Sequence, residues 1–138
     1  MKEVLKILLV DDDQDILEVI GMLLKMDGAE VHIAENYNEA LSLLEEVDID
    51  ITVTDWRMPG MHGLYLLDMI KDKHPEMPVI IMTAYLSDKV MVEARRKKVN
   101  MMIEKPFEYS ELLAGIQKLM RIKWQNQNGT RKQSSSVS

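Results

Sequence analysis

A chain of 138 residues suits one domain and leaves no room for a second sizeable one. It is 46% hydrophobic and 29% charged, which is ordinary for a globular protein, and its net charge of −6 argues against direct nucleic-acid binding. With no cysteine it has no disulfide, thiol nucleophile or thiolate metal site, and no apolar run approaches the roughly 20 residues that span a bilayer.

The first apolar run, Ile7–Val10, is too short for a secretory signal, so the expected location is cytoplasmic and away from the membrane. It is continuously apolar, which fits a strand of a parallel sheet buried on both faces. Ile16, Val19, Ile20, Leu23 and Leu24 follow at helical spacing, and Asp27-Gly28 reads as that helix's stop. Val31–Ala34 is the second run, followed by a helical stretch through Ala40, Leu41, Leu44 and Val47. Ile49–Val53 is the third, and its strand is expected to end at Asp55. Pro59-Gly60 marks a turn before a helix through Leu64, Leu67 and Ile70. His74-Pro75 ends that helix, because the residue before a proline avoids the helical region. Val79–Met82 is a fourth apolar run, and a less regular helix covers about Asp88 to Lys98. Met101–Ile103 is the fifth run, and Leu112, Leu113, Ile116, Leu119 and Met120 make a clear last helix.

Five strand–helix units in succession predict an α/β fold. The expected form is a doubly wound five-stranded parallel sheet between two helix layers, in the flavodoxin-like order 2-1-3-4-5. The domain is expected over residues 1–123. From 124 to 138 the chain is polar and aperiodic, and reads as a disordered tail or truncated linker. The twelve methionines are expected mainly as core filler.

In an open α/β sheet, ligands bind outside the carboxyl ends of the strands, at the switch point. Those ends carry Asp11, Asp12 and Asp13, then Asp55, Thr83 and Lys105. Two carboxylates at about 5 Å repel by roughly 3 kcal/mol at an effective dielectric of 20, so a cluster needs compensation. A hard cation such as Mg²⁺ supplies it through oxygen ligands, and Lys105 adds a fixed positive charge. The set suits phosphoryl transfer to a carboxylate, with Thr83 and the backbone N–H groups of Trp56 and Ala84 as further donors.

Each residue alone has a plainer role. Asp13 is expected to cap the first helix, and Asp11 and Asp12 cannot both do so. A threonine in an apolar strand usually bonds backbone, and a lysine before a turn is usually solvated. The basic run Arg95–Lys98 reads as a solvated helix face, with a docking surface for an acidic partner as the alternative. His32, His62 and His74 do not sit at ligand spacing.

The segments Leu8-Leu9-Val10-Asp11-Asp12-Asp13, Thr54-Asp55-Trp56-Arg57-Met58-Pro59-Gly60-Met61-His62-Gly63, Ile81-Met82-Thr83-Ala84 and Lys105-Pro106-Phe107 resemble the response-regulator receiver domains of two-component signalling. The resemblance covers roughly residues 4 to 122. It implies that Asp55 accepts phosphate from a sensor histidine kinase or phosphotransfer protein. It implies Mg²⁺ held by Asp11, Asp12, Asp55 and the backbone carbonyl of Arg57. Thr83 and Lys105 match the switch hydroxyl and the phosphate-binding lysine, and a cis bond is expected at Lys105-Pro106. The implied readers are a downstream effector domain or protein, or a homodimer through the fourth helix, fifth strand and fifth helix.

The chain departs from that pattern in places. Met102 stands where an aromatic usually rotates with the threonine, and Lys98-Val99 replaces a common Gly-Ala pair. Switching is therefore expected to run through the packing of Met101 and Met102. Arg57 and Tyr85, two residues past Asp55 and Thr83, are bulky and are expected to lengthen the phosphoryl lifetime beyond seconds. Two rivals stand beside the acceptor reading. One is a receiver-like module that signals without phosphorylation. The other is a dehalogenase-type Mg²⁺ phosphatase using Asp11 and Asp13, which Asp15 fits poorly.

Overall fold

The computed structural model describes residues 4–58 and 61–137, with side chains described over 4–57 and 64–127. The Pro59-Gly60 turn and the side chain of His62 lie outside them. The elements in chain order are β1 (Lys6–Val10), α1 (Gln14–Met26), β2 (Glu30–Ala34), α2 (Tyr37–Glu46), β3 (Ile51–Asp55), a short ribbon of β4 (Arg57–Met58) and β5 (Met61–His62), α3 (Gly63–Lys73), β6 (Val79–Thr83), α4 (Asp88–Arg96), β7 (Met101–Glu104) and α5 (Tyr109–Val137). The main sheet is parallel, in the order β2-β1-β3-β6-β7. Counting only its five strands, this is the expected 2-1-3-4-5.

The pleat sends alternate residues to opposite faces, and both faces are covered. Leu8, Val10 and Ile81 join residues of α2, α3 and α4 in one core. Ile7, Leu9, Val53, Ile80 and Met82 join α1 and α5 in the other. Burying one such aliphatic side chain contributes about 1.5–3 kcal/mol, which is why β1 and β6 read as unbroken apolar runs. β3 is different, because Thr52 and Thr54 are buried within it. Their hydroxyls are satisfied: Thr52 donates to Met77 Sδ at 3.2 Å, and Thr54 to the Asp55 carbonyl at 3.2 Å. The strand starts at Ile51 rather than Ile49 and runs through these threonines to Asp55.

Helix ends follow local chemistry. Asp13 caps α1 as expected, accepting from the N–H groups of Asp15 and Ile16. α1 and α4 both close in a Schellman motif. At α1, Gly28 N–H donates to Lys25 O at 3.0 Å and Ala29 N–H to Leu24 O at 3.1 Å. At α4, Lys98 N–H donates to Arg95 O at 3.0 Å and Val99 N–H to Ala94 O at 3.1 Å. The left-handed residue is Gly28 (φ 96°) in one and Lys98 (φ 64°) in the other. That conformation suits glycine, and a lysine there costs roughly 1 kcal/mol.

α5 runs on to Val137, where sequence alone suggests an irregular tail from residue 124. The apolar period reports packing against the sheet, not helicity. Glutamine, lysine and arginine are good helix formers, and no proline follows Pro106 to stop the backbone. Among the described residues, no helix is long and apolar enough to cross a membrane.

Candidate functional site

Three loops converge at the carboxyl ends of β1, β3 and β7. The hydrogen-bond ladder of β1 continues one residue beyond the strand, with Asp11 N–H donating to Ala34 O at 3.1 Å. This seats Asp11 at the sheet's rim with its side chain fully buried. Its Oδ1 accepts from the Asp13 N–H at 2.9 Å, which turns the chain into α1. Asp12, next along, is exposed. β3 is paired with β1 on one side and β6 on the other, and it delivers Asp55 to the same rim. One carboxylate oxygen each from Asp11, Asp12 and Asp55 lies within 4.8 Å of the others.

Lys105 enters from the end of β7. Its Nζ donates to Asp11 Oδ2 at 2.7 Å and lies 3.3 Å from Asp55 Oδ1. The Lys105-Pro106 bond is cis, as expected. Burial holds Asp11 above the ordinary carboxylate value, against the pull of Lys105. Burial, and then the charge of Asp11, do the same to Asp55. Burial would pull the Lys105 ammonium down, but Asp11 and Asp55 outweigh it and the net direction is up. One lysine therefore compensates the cluster only in part. The donor set is all oxygen, charged, and reachable from solvent through Asp12. That fits a hard divalent cation rather than a nitrogen- or sulfur-loving metal.

Thr83 closes β6 and is buried. Its Oγ1 accepts from the Tyr85 N–H at 3.0 Å, the local turn bond common for threonine, and its own proton stays available to donate. Ala84 follows it and is exposed. The Trp56 N–H is shared: it donates to Met82 O at 2.8 Å and to Asp55 Oδ1 at 2.9 Å. Arg57 opens the β4–β5 ribbon, opposite His62. Its guanidinium lies over the Tyr85 ring, 5.7 Å from the centroid. Sequence reading brings Arg57 and Tyr85 to the site by position, but not to each other. Met102 is half-buried on the α4 side of β7, away from the acidic cluster.

The chain matches the family model for the response regulator receiver domain over residues 7–117. It is 39% identical over 109 residues to the DNA-binding transcriptional regulator NtrC of Salmonella typhimurium, covering 79% of this chain and 23% of that protein. It is 32% identical over 122 residues to the regulatory protein AtoC of Escherichia coli, covering 88% of this chain and 26% of that one. The chain thus spans about a quarter of the length of these curated relatives. Among solved structures, a CheY-like receiver domain protein from Methanospirillum hungatei superposes with a TM-score of 0.86 at 29% identity, over 90% of this chain and 99% of that one. A receiver domain protein from Clostridium thermocellum superposes with a TM-score of 0.81 at 33% identity, over 87% and 97%. Sequence match, strand order and the acidic rim agree, and the chain belongs to the response regulator receiver domain family.

Proposed function

We propose that Asp55 accepts a phosphoryl group from the phosphohistidine of a sensor histidine kinase or phosphotransfer protein, and that a downstream effector domain or protein reads the change. The observation that carries this is the reach of Lys105 to Asp11 and Asp55 at once, at the carboxyl edge of the sheet. A carboxylate oxygen of Asp55 attacks the phosphorus, the bond to the donor nitrogen breaks, and that nitrogen keeps the electron pair and takes a proton. Lys105, the Thr83 hydroxyl and the Ala84 N–H then face the transferred oxygens as donors. The Trp56 N–H joins them by turning from Asp55 Oδ1 to a phosphoryl oxygen. Asp11, Asp12, Asp55 and the Arg57 carbonyl would hold Mg²⁺, which when bound neutralises charge on the transferred oxygens. The domain is a phosphoryl acceptor and switch, not an enzyme with its own substrate.

By analogy with NtrC, whose name marks a DNA-binding transcriptional regulator, we take the output that this switch governs to be transcriptional. The receiver itself is assigned to residues 1–123, in the cytoplasm. A homodimer through α4, β7 and α5 is the assembly this reading favours.

The test is incubation with Mg²⁺ and acetyl phosphate followed by intact mass, with Asp55→Asn in parallel. A gain of one phosphoryl group in the wild type alone is expected. Turnover of phosphate esters would favour the phosphatase. No adduct from acetyl phosphate or from a kinase would favour the phosphate-independent module.

A further inference from the structure

The last helix carries its apolar stripe past the end of the sheet. Leu113, Ile116, Met120 and Trp124 recur at helical spacing on one face of α5. Ile116 and Met120 join the core beneath α1, while Trp124, one turn on, is 36% exposed. An open cleft of about 420 Å³ lies between this face, the end of α1 and the start of β1. Ile7, Leu24, Ile116 and Met120 form its floor and are all buried. Gly28 keeps its mouth clear. The φ of 96° there disfavours any side chain, and a Cβ at that position would meet nothing within 4 Å. Small-molecule sites are typically clefts of about 300–1,000 Å³ with apolar walls and a few placed polar groups. This cleft has the size and the walls. Leu5 and Ala29, just ahead of β1 and β2, also line it, so it opens at the end of the sheet opposite Asp55.

The rim decides which ligand chemistry fits. Asp27 and Arg121 are its two charged residues. Asp27 is already engaged, accepting from the Tyr109 hydroxyl at 2.5 Å. Arg121 is exposed, pairs with no carboxylate among the described residues and lies over no aromatic ring there. The uncommitted charge at the mouth is therefore positive. Trp124 stands beside it, and an indole at the mouth of an apolar cleft suits a ligand with one apolar and one wet end.

We propose that this cleft binds an aliphatic carboxylate, with its chain on the apolar floor and its carboxylate on Arg121. A cationic amphiphile would set a like charge against Arg121, and its counter-charge would be Asp27, which Tyr109 already holds. A long polyanion fits poorly, because one arginine gives it a single contact and the chain's net charge is −6. The cleft lies far from the acidic rim, so it stands or falls apart from the acceptor reading.

The test uses the full chain, with sodium hexanoate, sodium octanoate, octanol and octylammonium chloride as probes below the concentrations at which they form micelles. Of the two tryptophans Trp56 is buried next to Asp55, so a change in fluorescence reports on Trp124, and the Met120 methyl resonance reports on the floor. Octanoate should shift both signals saturably and bind tighter than octanol or octylammonium. Each methylene added from hexanoate to octanoate should tighten binding, by up to about fourfold. Arg121→Gln should weaken octanoate about threefold, the size expected for one exposed ion pair, and leave octanol unchanged. Arg121→Lys should keep most of the binding, and Trp124→Phe should remove the fluorescence change while Met120 still shifts. Octylammonium binding as tight as octanoate overturns the proposal, as does octanoate binding that Arg121→Gln leaves unaltered. So does the absence of a saturable shift at Met120 below micelle formation. Self-association through this cleft, seen by sedimentation, abolished by Trp124→Ala and not dispersed by octanoate, would assign it to a second copy instead and overturn it too.

Discussion

Lys105 sits closer to Asp11 than to Asp55, at 2.7 Å against 3.3 Å. Asp11 is fully buried, so the lysine is first of all the compensating charge for Asp11. Replacing Lys105 by Met leaves that carboxylate buried without a cation. The expected loss is about 2–3 kcal/mol near neutral pH without Mg²⁺, below the range for a fully buried pair because Lys105 is partly exposed. The loss should depend on pH. Burial already raises the folded value of Asp11, and removing the lysine raises it further. Stability from such a group is present below the unfolded value and is lost as pH rises through the folded value. Urea melts of Lys105→Met should therefore approach wild type toward about pH 4 and fall behind above it. A deficit constant across that range would mean that Asp11 is not the group left uncompensated.

Asp55 supplies a second test. Burial and the neighbouring Asp11 raise its folded value, so ionising it costs more in the fold than in the unfolded chain. Its contribution is again present at low pH and lost as pH rises through the raised value. Asp55→Asn should then melt above wild type near neutral pH in EDTA. Mg²⁺ should reverse the order, because the wild type keeps the full donor set. At a free concentration of about 100 times Kd the wild type should gain about 2.7 kcal/mol, and the variant less. Equal Mg²⁺ shifts in the two proteins would place the cation elsewhere.

Much of this site is legible in the chain because parallel strands buried on both faces must be apolar from end to end. Ile7–Val10 and Val79–Met82 mark their own carboxyl ends, and the residues that follow are the ones at the rim. Asp11, Asp12, Asp55, Thr83 and Lys105 can thus be gathered on paper before any coordinate is known. What is not legible depends on contacts across the sheet or on backbone angles. The expected order sets β3 beside β6, but it does not say that the Trp56 N–H divides itself between Met82 O and Asp55 Oδ1. The strain at Lys98 is invisible in a run of four basic residues until the helix end is seen. The continuation of α5 past Lys123 is hidden because hydrophobic period reports only the part of a helix that packs.

Met101 and Met102 are adjacent on β7 but belong to opposite cores. Met101 packs toward α5, where Gly115 makes room: a Cβ there would come within 2.8 Å of Met101 Cε. Met102 packs with the core beneath α4. A switch starting at Thr83 and moving α4 should therefore be felt by Met102 before Met101. With beryllofluoride and Mg²⁺, methyl NMR should show a larger shift at Met102, together with backbone shifts across residues 84 to 104. Spectra unchanged over that stretch would show that the signal leaves the site by another route.

The Arg57 guanidinium over the Tyr85 ring joins the loop after Asp55 to the loop after Thr83. Both side chains are exposed, and together with Trp56 they line an open cleft of about 610 Å³ beside the site. A cation held over an aromatic face is worth roughly 0.5–1 kcal/mol at an exposed site, enough to favour one arrangement without locking it. If Asp55 is phosphorylated as proposed, the two side chains paired in this way would restrict the path of water toward the acyl phosphate. The phosphorylated domain should therefore keep its label for longer than seconds in Mg²⁺ after the donor is removed. Tyr85→Ala and Arg57→Ala should each shorten that lifetime. The double variant should be little faster than either single one, because each already breaks the pair. Leucine at position 85 keeps bulk but not the aromatic face, so its lifetime separates stacking from simple crowding. If Tyr85→Leu matches wild type while Tyr85→Ala does not, bulk alone is the shield.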